Sequence, residues 1–180
     1  KVLGHLNKPV APRELAALMT KWSPASRGEL RTAKKTYSVD EVRAAIANGE
    51  LVNHYQPKVV VATGQVVGVE TLVRWLHPQD GMVFPDQFIG IAEEHGLIDD
   101  LTQVVLTAAL AQARAWQEAG LALRVAVNVS MDNLASLEFP DVVARLAAAA
   151  GVAPKDVVLE ITESQLMKDL RAPLEILTRL

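Results

Sequence analysis

The sequence contains no cysteine. That excludes a disulfide framework and any zinc site built on thiolates, and it suits a reducing cytoplasm. No apolar stretch reaches the roughly 20 residues of a membrane span, and the first residues lack the charged, apolar, small-residue order of a signal peptide. The sequence therefore reads as a soluble intracellular protein with no membrane partner. An excess of positive charge is missing too: 18 Lys and Arg against 21 Asp and Glu leave a net charge of -3. Long nucleic acids, which are held through many neutralised phosphates, are poor partners for such a chain. Also absent are a Gly-rich phosphate loop, a Gly-Ser elbow and a His-Glu helix motif. The four histidines, His5, His54, His77 and His95, are scattered and read as structural, with His77 before Pro78 as a loop residue.

What the chain has is a large apolar half: 50% of its 180 residues are hydrophobic, enough to bury a real core. Within it, three oxygen-bearing side chains each stand alone in a β-branched run: Glu70 in VVGVETLV, Asn128 in VAVNVS and Glu160 in VVLEITES. Short Val/Ile/Leu runs bounded by turn signals predict strands buried on both faces, as in a parallel sheet wrapped by helices. A carboxylate there must be protonated, paired with a cation or bound to a metal, because burying it alone costs several kcal/mol. Hard oxygen donors gathered from separate strands suit Mg²⁺ or Mn²⁺. Taken singly, each residue has a plainer reading: Glu70 capped by Arg74, Asn128 bonded to nearby backbone, Glu160 at a solvent rim. Recurrence at three strand ends argues against that reading.

Along the chain, KVLGHLNKPVAPRELAALMTKW holds a short strand-like piece, a Lys8-Pro9 step and an amphipathic helix with Leu15, Leu18, Met19 and Trp22 on one face. This resembles the end of a response-regulator receiver domain. The resemblance implies that Lys8 contacts a phosphoryl group, that the Lys8-Pro9 bond is a candidate for cis, and that a histidine kinase is a partner. The phosphoacceptor aspartate and earlier strands are not in the sequence, so 1–22 reads as a receiver remnant. A Ser/Pro/Gly/Arg/Lys stretch over 23–36 reads as a linker. Ser38 with Glu41 then forms the pattern of a capping box, opening a helix that Gly49 ends. LVNHYQPKVVV and QVVGVETLVRW, separated by Ala62-Thr63-Gly64, predict an antiparallel hairpin. After it, strand and helix alternate: helices over Phe88–His95 and Leu101–Ala119, a strand over Leu123–Val129, a helix over Pro140–Ala150, a strand over Val157–Thr162 and a helix over Ala172–Leu180. Such alternation predicts an α/β fold, a TIM-like barrel with its reactive groups at the carboxyl ends of the strands.

From Tyr37 to Leu180 the motifs resemble those of the EAL domain, a family of cyclic di-GMP phosphodiesterases. They are Tyr55-Gln56-Pro57, GVETLVRW, HPQDGMVFPDQFIGIAEEHGLI, Asn128-Val129-Ser130 and LEITES, in the family's order. The signature departs from the family name in having Thr71 where alanine is usual. The resemblance implies a barrel whose first strand is antiparallel, with residues 37–180 its N-terminal part. It also implies that Glu70, Asn128 and Glu160 are ligands of a two-metal Mg²⁺ or Mn²⁺ site and that Arg74 grips a substrate phosphate. Gln56 then lies near the nucleotide, or is a hydrogen-bonded structural residue. Glu163, which orders a loop over the site, joins Glu70 among the catalytic residues. The implied reaction is hydrolysis of cyclic di-GMP to the linear dinucleotide pGpG in two-component signalling. The competing reading is a cyclic di-GMP receptor or protein-interaction module without catalysis; retention of every ligand position present in the chain favours the enzyme. The family's remaining carboxylates and lysine come downstream of LEITES. Residues 1–180 alone are therefore expected to be inactive, poorly folded and self-associating, with a homodimer as a further partner.

Overall fold

The computed structural model describes residues 35–161 and 171–179. The Lys8-Pro9 step, the receiver-like segment, the linker up to residue 34 and Glu163 lie outside the described residues.

Helix α1 (Val39–Ala47) begins as expected: Ser38 Oγ accepts from the Glu41 backbone N–H while the Glu41 carboxylate accepts from that of Ser38. It buries Val42 and Ala45 and gives way at Gly49, whose φ of 71° favours glycine. The hairpin follows, β1 (Leu51–Val59) and β2 (Val66–His77), closed by Val60 N–H to Gln65 O at 2.9 Å. A short β3 (Gly81–Val83) returns alongside the far end of β2. Then come α2 (Ile89–Glu94), α3 (Ile98–Glu118), β4 (Arg124–Val129), α4 (Phe139–Ala150), β5 (Val157–Ile161) and α5 (Arg171–Arg179).

The sheet runs β1-β2-β4-β5, with β1 antiparallel to β2, and β2, β4 and β5 parallel. This is the α/β, TIM-like arrangement with an antiparallel first strand. Side chains alternate across it. One face carries Val69, Thr71, Trp75, Val125, Val127 and Val129, all buried. α3 covers β1 and β4, presenting Leu101, Val105, Ala109 and Leu110 at helical spacing. Tyr55 packs edge-on against Trp116 of α3 at 4.9 Å. Burial there pushes its phenol up from the usual value, with a hydrogen bond to Asn53 pulling the other way.

The opposite face carries Gln56, Lys58, Gly68, Glu70, Arg124, Ala126, Asn128 and Glu160. It corrects the expectation of strands buried on both sides: Arg124, Asn128 and Gln56 are exposed and Glu160 is half-buried. Glu70, Asn128 and Glu160 share the parity that points to this surface, where Gly68 and Ala126 are their small neighbours. Gly68 is fixed by close packing on this face. A Cβ there would meet the Arg124 carbonyl oxygen at 2.7 Å, inside any tolerable contact.

A second correction concerns His77. It is the last residue of β2, 8% exposed, with Nδ1 accepting from the backbone N–H groups of Gln79 (3.2 Å) and Asp80 (3.1 Å). Together with Tyr37, Trp75 and Phe88 it forms an aromatic cluster with centroid separations from 4.7 to 5.9 Å. The histidine is structural, as expected, and holds the turn from inside the strand.

Candidate active site

Asn128 and Glu160 are the penultimate residues of β4 and β5 and are paired in register. Glu70 sits differently. It lies in the middle of β2, because β2 runs on to His77 beside β1 and β3 after its parallel pairing with β4 ends at Thr71. Relative to the parallel sheet it is near the carboxyl end, and the stagger between strands brings it to Asn128. Asn128 Nδ2 donates to Glu70 Oε1 at 3.2 Å.

Glu160 has a cationic partner. The Lys58 ammonium, from β1, pairs with Glu160 Oε1. Pairing with a cation is one of the three ways to accommodate a carboxylate in an apolar strand, and Lys58 supplies that cation. Nothing in the local sequence of either residue signals that partner.

Arg74 does not pair with Glu70. Its guanidinium donates to the Val73 carbonyl at 2.8 Å and lies 5.0 Å from the centre of the Phe84 ring, a cation-π contact that orders the fork. Gln56 lies directly opposite Glu70 in the β1-β2 register and is exposed. A cavity of about 400 Å³ reaches Glu70 and Asn128 but not Gln56, Arg74 or Glu160; much of its lining lies between the sheet and the helices, at Val73, Leu101 and Val105.

Among the described residues no cluster of three or more His, Cys, Asp and Glu side chains converges at metal-binding spacing. The donor set is two carboxylates and a carboxamide. These are oxygen donors of the kind a hard divalent cation takes, and they fit one as follows. Glu70 Oε1 already faces the Asn128 amide, so turning that amide over sets a second oxygen beside the first. Glu160 stands on the next strand, in register with Asn128.

The loop after β4 is held by a residue with no sequence signal of its own. Asn133 is fully buried; its Oδ1 accepts from Ser130 N–H (2.9 Å) and Thr102 Oγ (3.1 Å), and its Nδ2 donates to Asp99 Oδ1 (2.7 Å). Ser130 Oγ in turn donates to Glu93 Oε1 at 2.7 Å. The network ties the end of β4, and with it Asn128, to α2 and the start of α3.

Thr71 departs from the usual signature, and among the described residues its hydroxyl, on a residue 2% exposed, has no hydrogen-bond partner. Leaving a buried hydroxyl unpaired costs about 1–3 kcal/mol. Thr71→Val, nearly the same in shape, is therefore expected to raise stability by roughly 1 kcal/mol, seen as a higher urea midpoint at unchanged slope. A fall in midpoint would show that the hydroxyl is satisfied.

A sheet of parallel strands with an antiparallel first strand, carrying oxygen donors on neighbouring strands of one face, defines an α/β protein of the TIM-like barrel type. The chain belongs to the EAL domain family, whose model matches residues 39–180. It is 40% identical over 141 residues to the bifunctional diguanylate cyclase/cyclic di-GMP phosphodiesterase MucR of Pseudomonas aeruginosa, covering 78% of this chain and 21% of that protein. It is 32% identical over 180 residues to the cyclic di-GMP phosphodiesterase RocR of the same species, covering 99% of this chain and 46% of that protein. The solved PaMucR phosphodiesterase in complex with c-di-GMP superposes with a TM-score of 0.73 at 39% identity, over 78% of this chain and 57% of that one. The chain thus spans less than half the length of these curated relatives.

Proposed function

We propose that this chain carries the metal- and phosphate-binding part of a site that hydrolyses cyclic di-GMP to pGpG. The observation that supports it most is the adjacency of Glu70 and Asn128 on one open face, with Glu160 in register beside them. MucR and RocR, the named relatives, are cyclic di-GMP phosphodiesterases. Glu70, Asn128 and Glu160 hold a divalent cation, Mg²⁺ or Mn²⁺, as part of a two-metal shell. When bound, such cations supply a water of lowered pKa and offset the charge that develops on the phosphodiester. The remaining work belongs to the chain. Arg74, ordered over Phe84, grips a phosphate bidentately. Gln56, across from Glu70, contacts the substrate near its nucleotide, and Glu163 orders a loop over the site.

The same reading takes the domain to begin at Tyr37, after a linker, and residues 1–22 to be receiver-derived, with a histidine kinase as partner. What supports it is the Lys8-Pro9 step followed by an amphipathic pattern in the sequence itself. The wider reading also includes two-component signalling in the cytoplasm and a homodimer.

The test uses the full-length protein. EDTA is expected to abolish pGpG production, Mg²⁺ or Mn²⁺ to restore it, and Ca²⁺ to inhibit it, since calcium takes longer bonds and more ligands and spreads a two-metal clamp. Activity that survives EDTA overturns the reading. Tight binding of cyclic di-GMP without turnover in any metal points instead to a receptor.

A further inference from the structure

The Lys58-Glu160 ion pair joins the first and last strands of the sheet. Three strand gaps separate β1 from β5, about 14 Å in a flat sheet, so the pair is a chord across the hollow of a curled one. Its path is kept open by small residues. Lys58 faces Gly68 in the β1-β2 register; Gly68 pairs with Arg124 on the next strand, and Ala126, two residues on toward the level of Glu160, is the small residue there on the same face. Gly68 has no room for a side chain against Arg124, so the residue opposite the lysine cannot obstruct it. Lys58 and Glu160 are 39% and 34% exposed at their side chains, which leaves the pair reachable by a small ion.

We propose that Lys58 is the internal counter-cation of Glu160. It is a positioning residue that holds this carboxylate over the concave face in the metal-free protein and must be displaced from it when a divalent cation binds. Lys58 thereby weakens metal affinity and stabilises the apo state. A fixed ammonium beside a metal ligand acts twice: it competes for the same oxygen, and it repels the incoming cation. This inference rests on the metal-site reading above.

The experiment measures Mn²⁺ affinity by electron paramagnetic resonance on the full-length protein, with Lys58→Met and Lys58→Arg beside wild type. Lys58→Met is expected to bind Mn²⁺ about three- to tenfold more tightly, the modest size following from the pair's partial exposure. Lys58→Arg, which keeps the charge, should stay near wild type. In chelated protein, Lys58→Met and Glu160→Gln should each lower the urea midpoint, and the double variant should fall little further than either single one. A Lys58→Met affinity equal to or weaker than wild type overturns the proposal while leaving the metal site standing. Additive midpoint shifts overturn it as well. If none of the three proteins binds Mn²⁺, the metal site itself fails and the competition with it; the midpoint coupling then reports only on the apo pair.

Discussion

Glu70→Ala and Asn128→Ala, each introduced separately into the full-length protein, are expected to cut cyclic di-GMP hydrolysis roughly a thousandfold, which is about 4 kcal/mol of transition-state stabilisation. The size follows from removing a donor to a cation, because a displaced cation no longer lowers the pKa of its water or offsets charge on the phosphodiester. Stability should respond in the opposite sense or not at all. Asn128 is exposed and Glu70 half-buried, joined by a single hydrogen bond of 3.2 Å, so truncating either leaves its partner free to bond to water. A change within about 0.5 kcal/mol of metal-free wild type is expected. Removing Glu70 also removes a carboxylate held in an apolar strand, which relieves the apo protein rather than harming it. Chemical denaturation in EDTA beside a turnover assay separates the two effects. A variant that unfolds where metal-free wild type stays folded would assign that residue a structural role.

The fold was legible where periodicity and end signals agree. The Ser38-Glu41 box, the Ala62-Thr63-Gly64 turn and the alternation after His95 all lie within a few residues of the observed boundaries, because each is a local preference that tertiary packing reinforces. Glu70, Asn128 and Glu160 were visible as polar residues out of place, and register brings two of them into contact. Other features depend on residues distant in sequence. Lys58 meets Glu160 only because three strand pairings and the curl of the sheet bring β1 toward β5. The mid-strand position of Glu70 follows from β1, which pairs with β2 as far as Trp75, the reach that QVVGVETLVRW implies; what depends on distant residues is that the parallel pairing with β4 ends at Thr71. Arg74 turns to Phe84 rather than Glu70 for a similar reason: the loop after β3 delivers a ring that the local sequence of β2 does not announce.

Asn133 is the strongest case of a functional support hidden from the sequence, and Asn133→Leu is expected to cost about 2–6 kcal/mol of stability. Leucine has as many side-chain heavy atoms as asparagine, though it is bulkier, and supplies no polar atom. Asp99 is exposed and recovers its lost bond from water, whereas Ser130 and Thr102 are only 7% and 4% exposed and do not. Two buried donors, a backbone N–H and a hydroxyl, are thus left unpaired at about 1–3 kcal/mol each. The damage falls where it affects the chemistry. Ser130 is two residues beyond Asn128, so loosening the loop blurs the position of a metal ligand without touching it. Turnover should therefore fall by about 10- to 100-fold, the range seen when groups that orient metal ligands are lost, and Mn²⁺ affinity should weaken with it. Excess Mn²⁺ should recover part of the stability, because a ligand that binds only the native state favours it by mass action. Urea unfolding with and without Mn²⁺ reads both effects. A loss under about 1 kcal/mol would mean that Ser130 N–H and Thr102 Oγ find other partners once the amide is gone.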